Sequence, residues 1–304
     1  LADLGYEAPD LQARLDRTLN DSLQELTDRQ NIDGGWSWWK GSESDQYIST
    51  YVVYGVVKAS SAGIEVDEDV LRAGVSYIMA TLSTPEMLTD PWQLDRLAFS
   101  YYTLMEAGET PTAGVESLFY LREDLSPWAQ AMLLLTIDGL SLGEDWEQTL
   151  RSNLQSSAQV TGTSAFWDDA NNPQVNLSTP VLNTAIVIYA LANTAPDSPL
   201  LTDAARYLMA HRNASGGWYS TYESAWSILA LTEYMKATGE LGGEFDFSAY
   251  LNTTQIVDDR ARAEIDVSTV TSSVPISSLY PDLPNALVFE HGDGQGPLYY
   301  TAHL

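Results

Sequence analysis

The 304-residue sequence contains no cysteine and only three histidines, His211, His291 and His303. The first absence removes disulfides, thiol nucleophiles and cysteine-based zinc sites. The histidines are scattered and in no metal-ligand spacing, so no metal and no other cofactor is expected. Basic residues are scarce as well: 14 Lys and Arg stand against 42 Asp and Glu, giving a formal net charge of -28. A nucleic-acid backbone would be repelled, which excludes that class of partner. No apolar run approaches the roughly 18 to 20 residues that cross a bilayer, and no basic start precedes an apolar block, so this segment is not expected to insert into a membrane.

What the chain has in quantity is tryptophan, nine in all, three of them inside the glycine turn "QNIDGGWSWW" at Gln30–Trp39. Residues from about 10 to 240 repeat one pattern: a turn with Gly or Pro and an aromatic, a helix apolar nearly all round, then a helix with one apolar stripe. The apolar helices read Ile48–Val57, Leu97–Met105, Trp128–Ile137, Thr184–Leu191 and Ser224–Tyr234, and their striped partners include Leu11–Leu26 and Leu71–Leu82. A helix apolar on all faces belongs inside, so this pattern predicts an inner and an outer layer. The fold class expected is mainly α, an α/α toroid of helical hairpins lacking one hairpin. Past about Gly242 the texture changes to alternating runs, "FDFSAYLN", "RAEIDVSTV", "NALVFEHG" and "LYYTAHL", which predict a smaller antiparallel β segment. The domain reading is therefore 1–240 helical and 241–304 β-rich.

The turns "DGGWSWW", "TDPWQLD", "LSPWAQA", "SAFWDDA" and "ASGGWYS" each lead into an inner helix, placing Trp36, Trp92, Trp128, Trp167 and Trp218 at one end of the ring. There the indoles can wedge between helix pairs, while Trp38 and Trp39 are surplus to one wedge and free to face something else. Carboxylates gather at the same end: Asp33, Glu43, Asp45, Asp95, Asp168, Asp169 and Glu223. They leave open a toroid enzyme, either a carboxylate-based lyase or hydrolase or a terpenoid cyclase, although helix N-termini favour carboxylates in any acidic chain. A cyclase needs an acid cluster, and "EVDEDV" at Glu65–Val70 reads instead as a solvated helix start. Four Asn-x-Ser/Thr sites, at Asn20, Asn176, Asn213 and Asn252, are expected by chance.

The segments "LTDRQNIDGGWSWWKGSESDQYISTYVVYGVVKASSAGIEVDEDVLRAGVSYI", "NTAIVIYALAN", "GGWYSTYESAWSILALTEYMKATG" and "GPLYYTAHL" together resemble the thioester-containing, complement-like domain of bacterial α2-macroglobulins, followed by the start of the β domain that adjoins it. The resemblance implies a broad-range protease inhibitor of the cell envelope, periplasmic or extracellular and membrane-anchored through an N-terminal part outside this segment. Its partners would be proteases, trapped after bait cleavage, and the neighbouring macroglobulin-like domains; it would not be an enzyme. In that family the thioester joins the Cys and Gln of a Cys-x-Glu-Gln motif just before the segment where this chain begins. Either the chain starts downstream of that motif, with the first inner helix of a six-pair ring outside it, or this homologue lacks the thioester. Fast hydroxyl-reactive relatives carry a His on the second turn; here that turn, Ser83–Asp95, has none, which implies capture of amines. Trp36, Trp38 and Trp39 would cover the reactive bond until activation.

Overall fold

The computed structural model describes residues 9–169, 176–214, 216–239, 244–261 and 270–296, with 298, 300 and 302. Ten α-helices are present among them: α1 Pro9–Asp28, α2 Gln46–Ser61, α3 Glu68–Thr81, α4 Pro91–Glu106, α5 Thr112–Tyr120, α6 Pro127–Gly139, α7 Glu144–Ser157, α8 Pro180–Thr194, α9 Leu200–Ala210 and α10 Thr221–Thr238. The even-numbered helices are the inner layer and the odd-numbered the outer, an α/α toroid. In α6 every side chain from Trp128 to Ile137 is buried, whereas α3 buries only Gly74, Val75 and Ile78. Each fully buried leucine of α6, such as Leu133 or Leu134, contributes about 1.5–3 kcal/mol of transfer free energy. α6 packs between α4 and α8, with α7 behind it.

Sequence dictates where these helices start. Pro91, Pro127 and Pro180 occupy first-turn positions, where a missing N–H costs nothing. Side chains of Asp45, Asp67, Ser126 and Thr179 accept first-turn amides of α2, α3, α6 and α8. The acidic run at Glu65–Val70 is thus a helix start, with Asp67 as its cap. One outer helix is incompletely covered: Leu11, Leu15 and Leu19 form an exposed stripe along α1.

The helical unit spans Leu11–Tyr234, and a second compact unit contains the residues from Met235 onward. The second carries β3 Glu244–Leu251, β4 Thr254–Ala261 and β5 Leu287–Gln295, antiparallel in the order β4-β3-β5. Phe245 and Ala249, two pleats apart, are buried. β3 and β5 answer to "FDFSAYLN" and "NALVFEHG". The run "RAEIDVSTV" falls on residues 262–270 and "LYYTAHL" on 298–304; both lie almost wholly outside the described residues. β4 is an addition to the sequence reading, because its Asp258, Asp259 and Arg260 break the apolar alternation on an exposed edge. A two-stranded hairpin inside the helical unit, β1 Gln159–Thr161 with β2 Ser164–Phe166, is a second addition; three-residue strands are too short for any period to show.

Candidate functional site at the aromatic end of the helical unit

Contacts run from one inner-helix start to the next. Arg96 of α4 lies over the Tyr47 ring of α2 at 4.3 Å. Asp95 of α4 accepts the Ser126 N–H ahead of α6 at 2.9 Å. Asn176, before α8, donates to the Trp92 carbonyl at 3.2 Å and accepts from Arg96 Nε at 2.9 Å. Thr179 at the start of α8 donates to Glu223 of α10 at 2.7 Å, and Tyr222 of α10 meets Tyr51 of α2 ring to ring at 5.2 Å. The N-terminal ends of all five inner helices therefore share one end of the unit.

The tryptophans there are of two kinds. Trp36, Trp167 and Trp218 are buried and repeat one clasp. Each indole Nε1–H donates to a carbonyl in the last turn of the preceding outer helix: Leu26 at 2.7 Å, Leu154 at 2.7 Å and Leu208 at 2.9 Å. Each backbone N–H donates to a hydroxyl on the following inner helix: Ser49 at 2.8 Å, Thr184 at 3.1 Å and Ser224 at 3.1 Å. One residue thus satisfies an orphan carbonyl of one helix and ties it to the next. Trp92 and Trp128 instead sit inside the first turns of α4 and α6, directly after Pro91 and Pro127. Trp92 is half-buried beneath Arg96, and Trp128 is buried. Trp128 Nε1 has no partner among the described residues. The uniform wedge expected of all five holds for three.

The clasp turn itself was legible in a doublet that the aromatic count obscured, Asn-x-x-Gly-Gly-Trp at Asn31 and at Asn213. Asn31 N–H donates to the Gly35 carbonyl and Gly34 N–H to the Asn31 carbonyl; Asn213 repeats both bonds with Gly217 and Gly216. Gly34 and Gly216 have φ of +87° and +85°, which only glycine adopts without strain. Asn213 therefore has a structural role in its turn, and the hydroxyls of Ser49, Thr184 and Ser224 complete a set that helix periodicity alone could not single out.

Trp38 and Trp39 stand apart, 58% and 77% exposed, on a loop that is pinned rather than loose. Ser37 Oγ–H and Ser42 N–H both donate to the Trp39 carbonyl, and Asn31 Nδ2 donates to the Ser42 carbonyl and Ser44 Oγ. Tyr219, directly after Trp218 where the first turn has Ser37, is 96% exposed.

The carboxylates mostly serve the scaffold. Asp33 accepts Gly35 N–H and Ser44 Oγ–H, Asp45 caps α2, and Glu223 accepts from Thr179 and from Tyr219 N–H. Glu43 is exposed, whereas Asp95 and Asp169 are both buried. Burial pushes the Asp95 carboxyl up to about 7, the Asp169 charge adds to the rise, and Ser126 N–H opposes it. A cavity of 190 Å³ lies between the starts of α2 and α4, lined by Asp45, Tyr47, Trp92, Arg96 and neighbours. Among the described residues no group of three or more His, Cys, Asp or Glu could hold a metal ion. His211 and His291 face backbone carbonyls, and His303 lies outside the described residues. Deeper in, Lys58 pairs with Glu106 at 2.5 Å among the rings of Tyr54, Tyr102 and Tyr189. No described helix is long and apolar enough to cross a membrane.

Comparison with known proteins bears on this architecture. Residues 113–234 match the family model of the A-macroglobulin TED domain. An alpha-2-macroglobulin of Thermotoga maritima is 26% identical over 234 residues, which is 77% of this chain and 13% of that protein. An alpha-2-macroglobulin homologue of Yersinia pestis is 26% identical over 263 residues, 84% of this chain and 12% of its own length. The chain thus spans about an eighth of the curated relatives it matches. The native conformation of E. coli alpha-2-macroglobulin superimposes with a TM-score of 0.63 at 17% identity, over 85% of this chain and 16% of that one.

Proposed function

We propose, from the premise that this chain belongs to the bacterial α2-macroglobulin family through its TED domain, that it is the thioester-end segment of a broad-range protease inhibitor of the cell envelope. In this reading 1–240 form the thioester-type domain and 241–304 begin an adjoining β-sandwich. The segment works by presentation and not by turnover. Proteases are engaged by the parent molecule after bait cleavage, and the neighbouring macroglobulin-like domains are the segment's direct contacts. Its place is periplasmic or extracellular, held by an anchor elsewhere in the parent.

The observation that supports this best is the uncovered stripe of α1. α1 leaves Leu11, Leu15 and Leu19 exposed, and an apolar stripe of that kind is ordinarily packed against a neighbour. We infer that an inner helix of the parent covers this stripe, and that it carries the Cys-x-Glu-Gln motif. Trp36, Trp38 and Trp39, with Trp92, Trp128, Trp167 and Trp218, form the aromatic end against which that reactive bond is kept dry. Trp36 and its buried counterparts supply the frame, and the two exposed indoles on their pinned loop supply the cover.

The test compares the chain alone with a version extended by about 50 upstream residues of the parent, a helical hairpin's length. The extended protein is expected to gain the mass of one methylamine. The chain alone, having no acyl donor paired with a thiol, is expected to gain nothing from methylamine or from trypsin-like and elastase-like proteases. Covalent adducts on the chain alone would replace this reading with an enzymatic one centred on the buried carboxylates.

A further inference from the structure

Away from the aromatic end, the last turns of α2 and α4 carry a second polar cluster. Tyr54 and Lys58 stand one turn apart on α2, and Tyr102 and Glu106 one turn apart on α4, so each helix presents a ring and a charge on one face. Lys58 Nζ donates to Glu106 Oε2 at 2.5 Å and to the Tyr189 hydroxyl of α8 at 3.4 Å. It also lies 5.5, 5.8 and 5.9 Å from the ring centroids of Tyr54, Tyr102 and Tyr189. Trp226 of α10 backs this cage, stacked on Tyr54 at 5.5 Å and edge-on to Tyr189 at 5.9 Å. Because α6 packs between α4 and α8, Tyr189 reaches the ammonium across the inside of the ring.

The Lys58 and Glu106 side chains are 29% and 22% exposed, so the cage opens to water on one side. An ion pair that close to solvent holds little by itself, because screening and side-chain entropy offset most of its attraction. Ring faces within about 6 Å of a partly desolvated ammonium add an attraction that a neutral side chain of the same shape does not feel. Three such faces, a hydroxyl and a carboxylate around one point are surroundings that a primary ammonium fits. We propose that the inside of this ring is an ammonium-binding site with Lys58 as its built-in ligand: the faces of Tyr54, Tyr102 and Tyr189 recognise the cation, and Glu106 orients it. One cation then ties α2, α4 and α8 together. An alkylammonium of the length of the lysine stem takes the same place when that stem is removed.

Melting of the full chain at fixed ionic strength tests this. Lys58→Met keeps the stem and removes the charge, and should lower the melting temperature by about 3–10 °C. The fall should persist in a Glu106→Gln background, where no ion pair is left to lose. Its disappearance there would reduce the cage to a plain ion pair and overturn the proposal. Lys58→Ala opens the cage, and propylammonium chloride, which restores the missing stem and charge, should raise the melting temperature of that variant saturably. Propan-1-ol, with the stem and no charge, should not. No rescue by propylammonium, equal rescue by propan-1-ol or sodium chloride, or an equal rise in the native chain, whose cage is filled, would each overturn the ammonium site. Should Lys58→Ala not fold, the Lys58→Met comparison carries the test.

Discussion

Single atoms decide how the tryptophans act. Trp36 fits only because α3 offers a glycine beneath it: a Cβ on Gly74 would stand 2.8 Å from Trp36 Cζ3 and 2.7 Å from Val53 Cγ2. In an exposed helix interior Gly→Ala stabilises by about 1 kcal/mol. Here overpacking reverses the sign, and Gly74→Ala should destabilise by about 1–3 kcal/mol in urea unfolding. A gain would mean that the indole is not seated as described. The clasp makes a second, comparative case. Trp167→Phe removes the donor to the Leu154 carbonyl as well as volume, and should cost about 1–3 kcal/mol more than Trp128→Phe, whose ring nitrogen has no partner among the described residues. Equal costs in parallel melts would show that the indole bonds contribute nothing.

Among the elements, layer position governs tolerance. The α1 stripe is exposed while α6 is enclosed, so Leu11→Gln, Leu15→Gln and Leu19→Gln should each change stability by less than about 0.5 kcal/mol, against about 2–5 kcal/mol for Leu133→Ala. Chemical denaturation of the four variants checks both limbs. The same contrast explains what could be read without coordinates. The inner helices α4, α6 and α8 were legible because long enclosed runs, such as Trp128–Ile137, leave a mark no outer helix carries. By contrast, α2 and α10 bury only scattered positions although their sequences are apolar. Pro91 and Pro127 marked two starts. β4 stayed hidden because an exposed edge strand owes its existence to the register with β3, a long-range pairing that local alternation does not encode. Of the site, the aromatic positions were legible and their roles were not. Trp167 and Trp128 both precede or open an inner helix, and only the reach of the indole to a carbonyl 13 residues back separates them. Asp95 was visible merely as one carboxylate among many, since its burial depends on where α6 and Asn176 come to lie.

For the molecule as a whole the dominant quantity is charge. A net charge of -28 repels itself, and the screening length falls from about 30 Å at 0.01 M salt to about 10 Å at 0.1 M. The melting temperature should therefore rise across that range in a neutral salt such as sodium chloride; a fall or a flat response in calorimetry would show that opposite-charge pairs, few as they are, outweigh the repulsion. The three indole clasps have another consequence at this scale. Each reaches back 10 or 13 residues and forward 6 to 17, so every one closes a short loop between one helix and the next. Short loops close with little entropy loss and early. A chain stitched in this way can set one seam after another while it is still being made, and a synthesis halted between seams leaves behind finished hairpins with at most one raw edge.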